Sequence, residues 1–487
     1  MSDILFSHSY YYQLDPKQWK NKTPFPPLGT LYAASLMRKN GFTVDLFDTN
    51  LLDSPQTITT RLKRNTPTYL VIFDDGFNYL TKMCLTNMRE ACFEMIAIGK
   101  LFGCTVIVNS SDATDHYKDY LKMGADFVLL GEGEMTLLEL LQTLEGKKTV
   151  ESVTGIAFKV DNRIQVTPKR EVLQQLDELP MPAWDLIDME NYHSVWQQSG
   201  QPFTLNIATT RGCPYKCNWC AKPIYGNRYN AHSPEYIVEE IRYLQEKFGV
   251  KRFWMCDDIF GLKPNWVQEF NAALKTQNLN ISYYIQSRVD LLLKENTIDC
   301  LAESGLEEVW VGAESASQKI LDAMDKGTTV AQIYQATQLL KAKKIRVAFF
   351  LQFGYLGENQ HDIAKTIAMV KELMPDNIGI SVSYPLPGTK FYDKVKDDLK
   401  RKTNWTDSDD FEMLFHGTYQ SNYYRKLQRF VHKEFRKAQG IYHLKQIVNQ
   451  PSSISVSKIK SIAKLGYYIP SAFVDSLSLQ KLQHHES

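Results

Sequence analysis

The sequence predicts an α/β protein in three parts: an amino-terminal doubly wound, Rossmann-like domain, a partial TIM-type β/α barrel and a mainly helical carboxyl-terminal extension. Three observations lead there. Short β-branched runs alternate with amphipathic helical patterns over residues 1–150, the sign of a parallel sheet covered by helices. The alternation stops before the stiff Leu179-Pro180-Met181-Pro182 stretch and resumes at Thr204 for six further rounds, so a domain boundary falls between. Beyond Lys394 the strand signal fades and helical periodicity remains. A chain of 487 residues has room for about three compact units.

In the first domain, strands are predicted at 4–7, 43–47, 69–74, 105–109 and 127–130, with helices at 29–39, 85–102, 114–123 and 134–144. Each helical run ends near a glycine or a polar break. Open sheets of this kind bind ligands beyond the carboxyl ends of their strands. Those ends carry Ser7 and His8, Asp74 to Gly76, Ser110 to Asp112, and Gly131 to Glu134. Residues 151–198 hold a hairpin, two strand-like runs around the turn pair Asp161 and Asn162, followed by the two-proline linker.

The barrel core, residues 199–393, has predicted strands at 204–210, 252–257, 282–287, 308–313, 346–353 and 378–384. Helices are expected between them at 234–248, 266–277, 294–304, 318–324, 331–342 and 360–374. In such a barrel the chemistry sits at the carboxyl ends of the strands. In the extension, 394–487, residues 423–446 read as a helix with Leu427, Phe430, Val431 and Phe435 on one face and Arg425, Arg429, Lys433 and Arg436 nearby. A helix docked on the barrel with a solvated basic face is the reading preferred over a membrane-surface helix.

Composition bounds the function. Apolar residues make up 44% and charged residues 23%, the balance of a globular chain with a sizeable core. Lys+Arg total 56 against 55 Asp+Glu, a net charge of +1, which excludes wholesale nucleic-acid binding through a strongly basic surface. The apolar runs fall well short of the ~18 residues that cross a bilayer, so no transmembrane segment is expected. The first residues lack a basic region followed by an apolar core, so no signal peptide is expected either and the predicted location is cytoplasmic. Eight cysteines are too few for a disulfide scaffold.

Three of those cysteines crowd into Arg211-Gly-Cys-Pro-Tyr-Lys-Cys-Asn-Trp-Cys220, directly after a predicted strand. Thiolates at this spacing can converge on one soft metal centre. Buried core cysteines are one alternative. A structural zinc is another, with His232 or Cys256 as the nearest fourth ligand; it would make the chain a zinc-stapled interaction or RNA-binding protein. A four-iron cluster held by Cys213, Cys217 and Cys220 would leave one iron open.

The pattern Cys-x-x-x-Cys-x-aromatic-Cys, with Trp219 as the aromatic, closely resembles the radical S-adenosylmethionine (SAM) superfamily. That resemblance implies a 4Fe-4S cluster on the three cysteines, SAM chelated to its open iron, and reductive cleavage to a 5′-deoxyadenosyl radical. It also implies SAM contacts from Trp219, from Asp257 and Asp258 after the second strand, and from Gly312, Glu314 and Ser315 after the fourth. Gly354 and Gly357 after the fifth strand resemble the segment that approaches adenine, and Pro385 to Thr389 matches a recurrent end of the sixth. Arg288, ending the third strand, suits the SAM carboxylate, an anionic substrate or a surface pair with Asp290.

The first 190 residues resemble the cobalamin-binding domain that precedes the barrel in one class of radical SAM proteins. The matching stretches are Pro27-Leu-Gly-Thr-Leu-Tyr-Ala-Ala-Ser35, Gly131-Glu-Gly-Glu134 and Leu179-Pro-Met-Pro-Ala-Trp-Asp-Leu-Ile-Asp188. By that resemblance Ser110, Gly131, Glu132 and Gly133 contact cobalamin. The histidine motif that ligates cobalt elsewhere is absent, and this class commonly lacks it; His8 is a possible neighbour, more simply read as structural. Two loops depart from the pattern, Asp74-Asp75-Gly76 and Asn109-Ser110-Ser111-Asp112, where acidic side chains would crowd or repel the cofactor. The implied function is methylation of an unactivated carbon of a small-molecule or natural-product-like substrate, with reduced ferredoxin or flavodoxin as electron donor. Radical rearrangement or cyclisation with the same cofactors is the alternative, and the motifs name no catalytic residue that separates the two.

Overall fold

The structure, a computed structural model, describes residues 3–146, 149–222 and 224–484. Of the predicted regions, Met1, Ser2, Lys147 and Lys148 in the first domain, Pro223 in the core and residues 485–487 of the extension lie outside the described residues. The chain divides into two compact units. The first comprises Met1–Tyr215, Lys222–Ile285 and Asn404–Asp410, and the second Lys216–Ala221, Gln286–Thr403 and Phe411–Ser487.

In the first unit, β1 (Ile4–Ser7), β2 (Val44–Phe47), β3 (Tyr69–Phe73), β4 (Thr105–Asn109) and β5 (Phe127–Leu129) run parallel in the order β2-β1-β3-β4-β5. Every residue of β1 and β3 is buried, as expected of strands covered on both faces. The order reverses between β1 and β3, so a crevice is expected where their carboxyl ends diverge. The hairpin β6 (Ile156–Val160) and β7 (Arg163–Val166) forms as predicted, but it extends this same sheet antiparallel to β5. Burial explains the attachment: Ile156, Ala157 and Phe158 are covered, whereas all of β7 is exposed and makes a polar edge.

The same unit carries β8 (Leu205–Ile207), β9 (Thr210–Arg211), β10 (Asn230–Ala231), β11 (Arg252–Met255) and β12 (Ser282–Ser287). β11 pairs parallel with β8 and β12, and β9 pairs antiparallel with β10. The single strand predicted at 204–210 is thus broken in two. Asp257 supplies the reason, accepting the backbone N–H groups of Thr209 and Thr210 at 2.7 and 2.8 Å. Residues 404–410 of the predicted extension also belong here: Trp405 accepts from the Thr86 amide at 2.9 Å, and Ser408 donates to Asp15 at 2.7 Å.

The unit boundary falls inside β12. The second unit holds β13 (Leu306–Glu314), β14 (Arg346–Phe353) and β15 (Asn377–Val382), all parallel, with Val309 opposite Val347 and Phe349 opposite Ile378. Helices Val330–Ala342 and Gln360–Leu373 each start with a capping box, Thr329 with Gln332 and Asn359 with Asp362. Helix Ser421–Asn449 buries Leu427, Val431 and Phe435 of the four residues its sequence placed on the apolar face, while Phe430 is half-buried. It docks on Gln360–Leu373, where Lys371 meets Glu434 at 3.2 Å. Helices Val456–Ala463 and Leu465–His484 follow it.

Candidate functional site

The cysteine loop leaves β9 through Gly212, whose φ is +79°. A Cβ there would lie 2.5 Å from the Arg228 carbonyl oxygen, so no other residue fits. Cys213, Cys217 and Cys220 are half-buried, unlike the buried Cys84, Cys92, Cys104 and Cys256. Among the described residues no three His, Cys, Asp or Glu side chains are gathered as a ready metal site, the triplet included. Cys213 belongs to the first unit, Cys217 and Cys220 to the second.

Within the second unit, Asn218 anchors the loop. Its backbone N–H donates to Met324 O at 3.0 Å, its amide donates to Ala323 O at 2.7 Å, and its side-chain oxygen accepts from Tyr355 at 2.7 Å. Arg288 bonds Lys326 O at 2.8 Å and Asp290 at 2.9 Å, and its Nη1 stands 3.9 Å from Cys217 Sγ. Lys326 pairs with Glu314 at 2.7 Å, both side chains buried. Burial works against the Lys326 ammonium, yet Glu314 and Cys217 together hold its pKa above the usual lysine value. Arg288 and Lys326 thus set two cationic side chains beside Cys217, one of the three expected metal-ligating cysteines. The indole Nε1 of Trp219 is buried with no hydrogen-bond partner, and Lys326 Nζ is 6.0 Å from the Trp219 ring. Soft donors, adjacent cations and an orphaned donor fit a thiolate-held cluster with a polar ligand beside it.

Glu314 follows a bulge at the end of β13 and takes φ +54°, a conformation that costs a non-glycine residue roughly 1 kcal/mol or more and clusters at functional sites. Gly312 makes room for it, since a Cβ there would fall 2.5 Å from Lys326 Nζ and 2.7 Å from Glu314 Oε1. The Gly354 N–H donates to Glu358 at 2.6 Å, and Gly357, φ +78°, has open space where a Cβ would stand. Ser315 is turned inward, 3.3 Å from the Thr366 hydroxyl and accepting from the Ser317 amide.

In the first unit, Asp257 also accepts from the Thr209 hydroxyl at 2.6 Å, and burial pushes its pKa up to about 7. Its carboxylate therefore organises the strand before the cysteine loop. Asp258 pairs with Lys82. Ser110 caps helix Ser111–Lys122 through the Ala113 N–H at 2.8 Å. A Cβ on Gly133 would lie 2.7 Å from both Asn109 and Phe73, so that glycine closes the turn onto the sheet. Glu132 and Glu134 meet Arg211 at 2.6 and 2.8 Å, with all three side chains buried. The guanidinium carbon is 5.2 to 5.4 Å from the rings of Tyr32, Phe77 and Tyr225. The sequence signal for this arrangement was an arginine directly before Gly-Cys and two glutamates two positions apart.

The acidic side chains of the two atypical loops are engaged within the fold. Asp74 accepts from the Ser9 N–H and hydroxyl at 2.6 and 2.7 Å, Asp75 from the Gly29 and Phe77 amides, and Asp112 from Arg89 and Tyr120. Burial raises the Asp74 and Asp75 pKa values toward neutral carboxyls. The carboxylates of these loops are thus held by partners inside the fold rather than left as free charges at the strand ends. His8 is buried against Asp48 and Thr49, with Nε2 2.9 Å from Asp48.

Neither fourth zinc ligand is available as arranged. His232 Nδ1 is 2.9 Å from Asp177 and its ring stacks on Tyr236, while the buried Cys256 thiol donates to Ile207 O. Residues 207–370 match the family model of the Radical SAM superfamily. The chain carries a radical SAM domain. That domain contains the cysteine triplet, Glu314, Gly354 and Gly357, which favours the cluster over a structural zinc. The chain is 27% identical to an uncharacterised methyltransferase of Pyrococcus horikoshii, covering 79% of this chain and 81% of that one. It is 26% identical to the anaerobic magnesium-protoporphyrin IX monomethyl ester cyclase of Synechocystis, over 76% and 73% of the two chains. The radical SAM methyltransferase TsrM of Kitasatospora setae, solved with cobalamin and a [4Fe-4S] cluster bound, shares the fold, with a TM-score of 0.68, 16% identity and coverage of 82% and 75%.

Proposed function

We propose that this radical SAM protein is a cobalamin-dependent methyltransferase that modifies an unactivated carbon of a small, natural-product-like molecule, with reduced ferredoxin or flavodoxin as electron donor. The observation that carries the reading is the half-buried cysteine triplet with Arg288 and Lys326 gathered beside Cys217. When bound, the cluster supplies the electron that cleaves SAM and cobalamin supplies a methyl carrier.

The chain's own residues bind and position. Cys213, Cys217 and Cys220 hold the cluster. Glu314, fixed by Lys326, accepts hydrogen bonds from the ribose hydroxyls of SAM, Trp219 Nε1 offers a donor, and Gly357 lets adenine approach the backbone. Asp257 and Ser315, whose polar atoms face inward, act by holding the loops. Ser110, Gly131 and Gly133 shape the sheet edge toward cobalamin. Glu132 reaches that role only through Arg211.

A second reading, cyclisation or rearrangement with the same cofactors, is favoured by the cyclase relative. Incubation with SAM, cobalamin and a reductant, followed by product analysis, separates them. Methyl transfer yields both 5′-deoxyadenosine and S-adenosylhomocysteine; 5′-deoxyadenosine alone, with substrate consumed, rejects it.

A further inference from the structure

The end of the second unit carries a surface that this chemistry does not use. Helix Leu465–His484 lays one face on helix Ser421–Asn449. Ala472, Asp475 and Leu479 are buried, and Asp475 accepts from Lys426 and Lys433 at 3.2 and 2.6 Å. Gly440 permits the approach, because a Cβ there would lie 2.6 Å from the Leu465 side chain. The outer face is the anomaly. Ile469, Phe473 and Leu477, at four-residue spacing, are exposed together with Val474, where a solvated helix would carry polar side chains.

The exposure is not confined to one helix. Twelve of the eighteen exposed large apolar side chains among the described residues fall between Ile441 and Leu477, and Val448, Val456 and Phe473 are 65 to 70% exposed. No Asp or Glu occurs from Phe435 to Val474, while Arg436, Lys437, Lys445, Lys458, Lys460 and Lys464 do. Against a whole-chain charge of +1, this stretch carries +6 and the rest is net negative by five. Beside it a cleft of about 610 Å³ is lined by Lys341, Lys371, Lys437 and Lys445, with Glu372 and Tyr442 among the other lining residues.

We propose that the exposed side chains of residues 436–474, with Leu477, form a docking face for an anionic lipid bilayer. Unbroken positive charge interleaved with exposed apolar side chains complements a surface that is negative at its headgroups and apolar beneath them. The attachment is interfacial, since no helix among the described residues is long and apolar enough to cross a membrane. Lysine stems lie along the apolar boundary with their ammonium groups at the phosphates. A folded protein partner would have to present an acidic and apolar surface of matching shape; a bilayer presents one without any such requirement.

The test uses the full, anaerobically purified chain in co-sedimentation with vesicles of phosphatidylglycerol or of phosphatidylcholine. The expected result is partition onto phosphatidylglycerol vesicles only, lost as salt rises to about 1 M, where the screening length falls to ~3 Å. Lys458→Glu with Lys460→Glu should weaken that partition more than about tenfold, and Phe473→Ser with Val474→Ser should weaken it independently, with cluster content and thermal unfolding unchanged in both. Wild-type protein left in the supernatant at low salt, or binding indifferent to both variants, overturns the proposal. So does a concentration-dependent dimer in sedimentation velocity that the Phe473 variant abolishes while vesicle binding is nil, which would assign the face to a second copy of the chain.

Discussion

At the scale of single residues, Glu314 is the side chain whose geometry asks for an explanation, because its left-handed backbone is maintained by a buried lysine. Glu314→Ala should weaken SAM binding by about tenfold or more, the loss of one or two hydrogen bonds to a charged acceptor, while iron and sulfide content stay at wild-type levels. Equal SAM affinity in equilibrium dialysis would remove Glu314 from the site. A second expectation concerns buried carboxyls. Burial lifts Glu240 and Glu358 to about 8 and Asp257 to about 7. Each keeps its proton in the folded chain at pH values where the unfolded chain has lost it, so the stability they contribute, full below about pH 4, is lost as pH rises toward 8. The denaturant midpoint should therefore be lower at about pH 8.5 than at about pH 5.5, and Glu240→Gln should flatten the difference. A midpoint higher at the alkaline pH would show that these carboxylates find partners once ionised.

Among the elements, the loop that starts at Gly212 is the least tolerant. Gly212→Ala sets a methyl group 2.5 Å from the Arg228 carbonyl at a φ of +79°, and a destabilisation of about 2 kcal/mol or more follows from steric overlap and left-handed strain together. Iron incorporation measured after reconstitution should fall with it; wild-type stability and iron in that variant would mean that the loop simply shifts. This element was legible in the sequence because its chemistry is written in consecutive letters. The strand before it was not read correctly, since the break between β8 and β9 is made by Asp257, almost fifty positions away, through bonds that local propensity does not encode. Ser110 illustrates the same limit: its hydroxyl caps the next helix through the Ala113 N–H, a partner that its place at a strand end did not specify. The helices after Ser421–Asn449 escaped because their apolar residues face outward as well as inward, which blurs the period that marks an amphipathic helix.

For the whole molecule, the alternation of strand and helix gave the α/β class and every parallel strand of the first sheet within about a residue or two, but not the attachment of the hairpin to that sheet nor the return of residues 404–410 to the first unit. Attachments of that kind depend on burial between distant segments. The cobalamin reading is tested at this scale. Anaerobically purified protein should retain the cofactor, and His8→Ala should retain it too, because His8 is occupied by Asp48 and Thr49. The cost of that substitution should appear instead as about 1–3 kcal/mol of stability from the polar partners left unpaired. Loss of cobalamin from a His8→Ala protein that stays folded would make the histidine a cofactor residue after all.

Arg211 fastens the residues leading into the cysteines to the turn after β5. The guanidinium sits one residue from Gly212 and two from Cys213, yet its counter-charges, Glu132 and Glu134, come from the turn after β5. A buried arginine stripped of its carboxylates leaves an uncompensated charge, which costs about 3–5 kcal/mol. Deleting or exchanging the amino-terminal segment should therefore disturb the residues that lead into the cysteines. A chimaera that joins this barrel to a foreign leading domain should fold only if the incoming turn brings two acids of its own, or if the arginine is replaced in the same step.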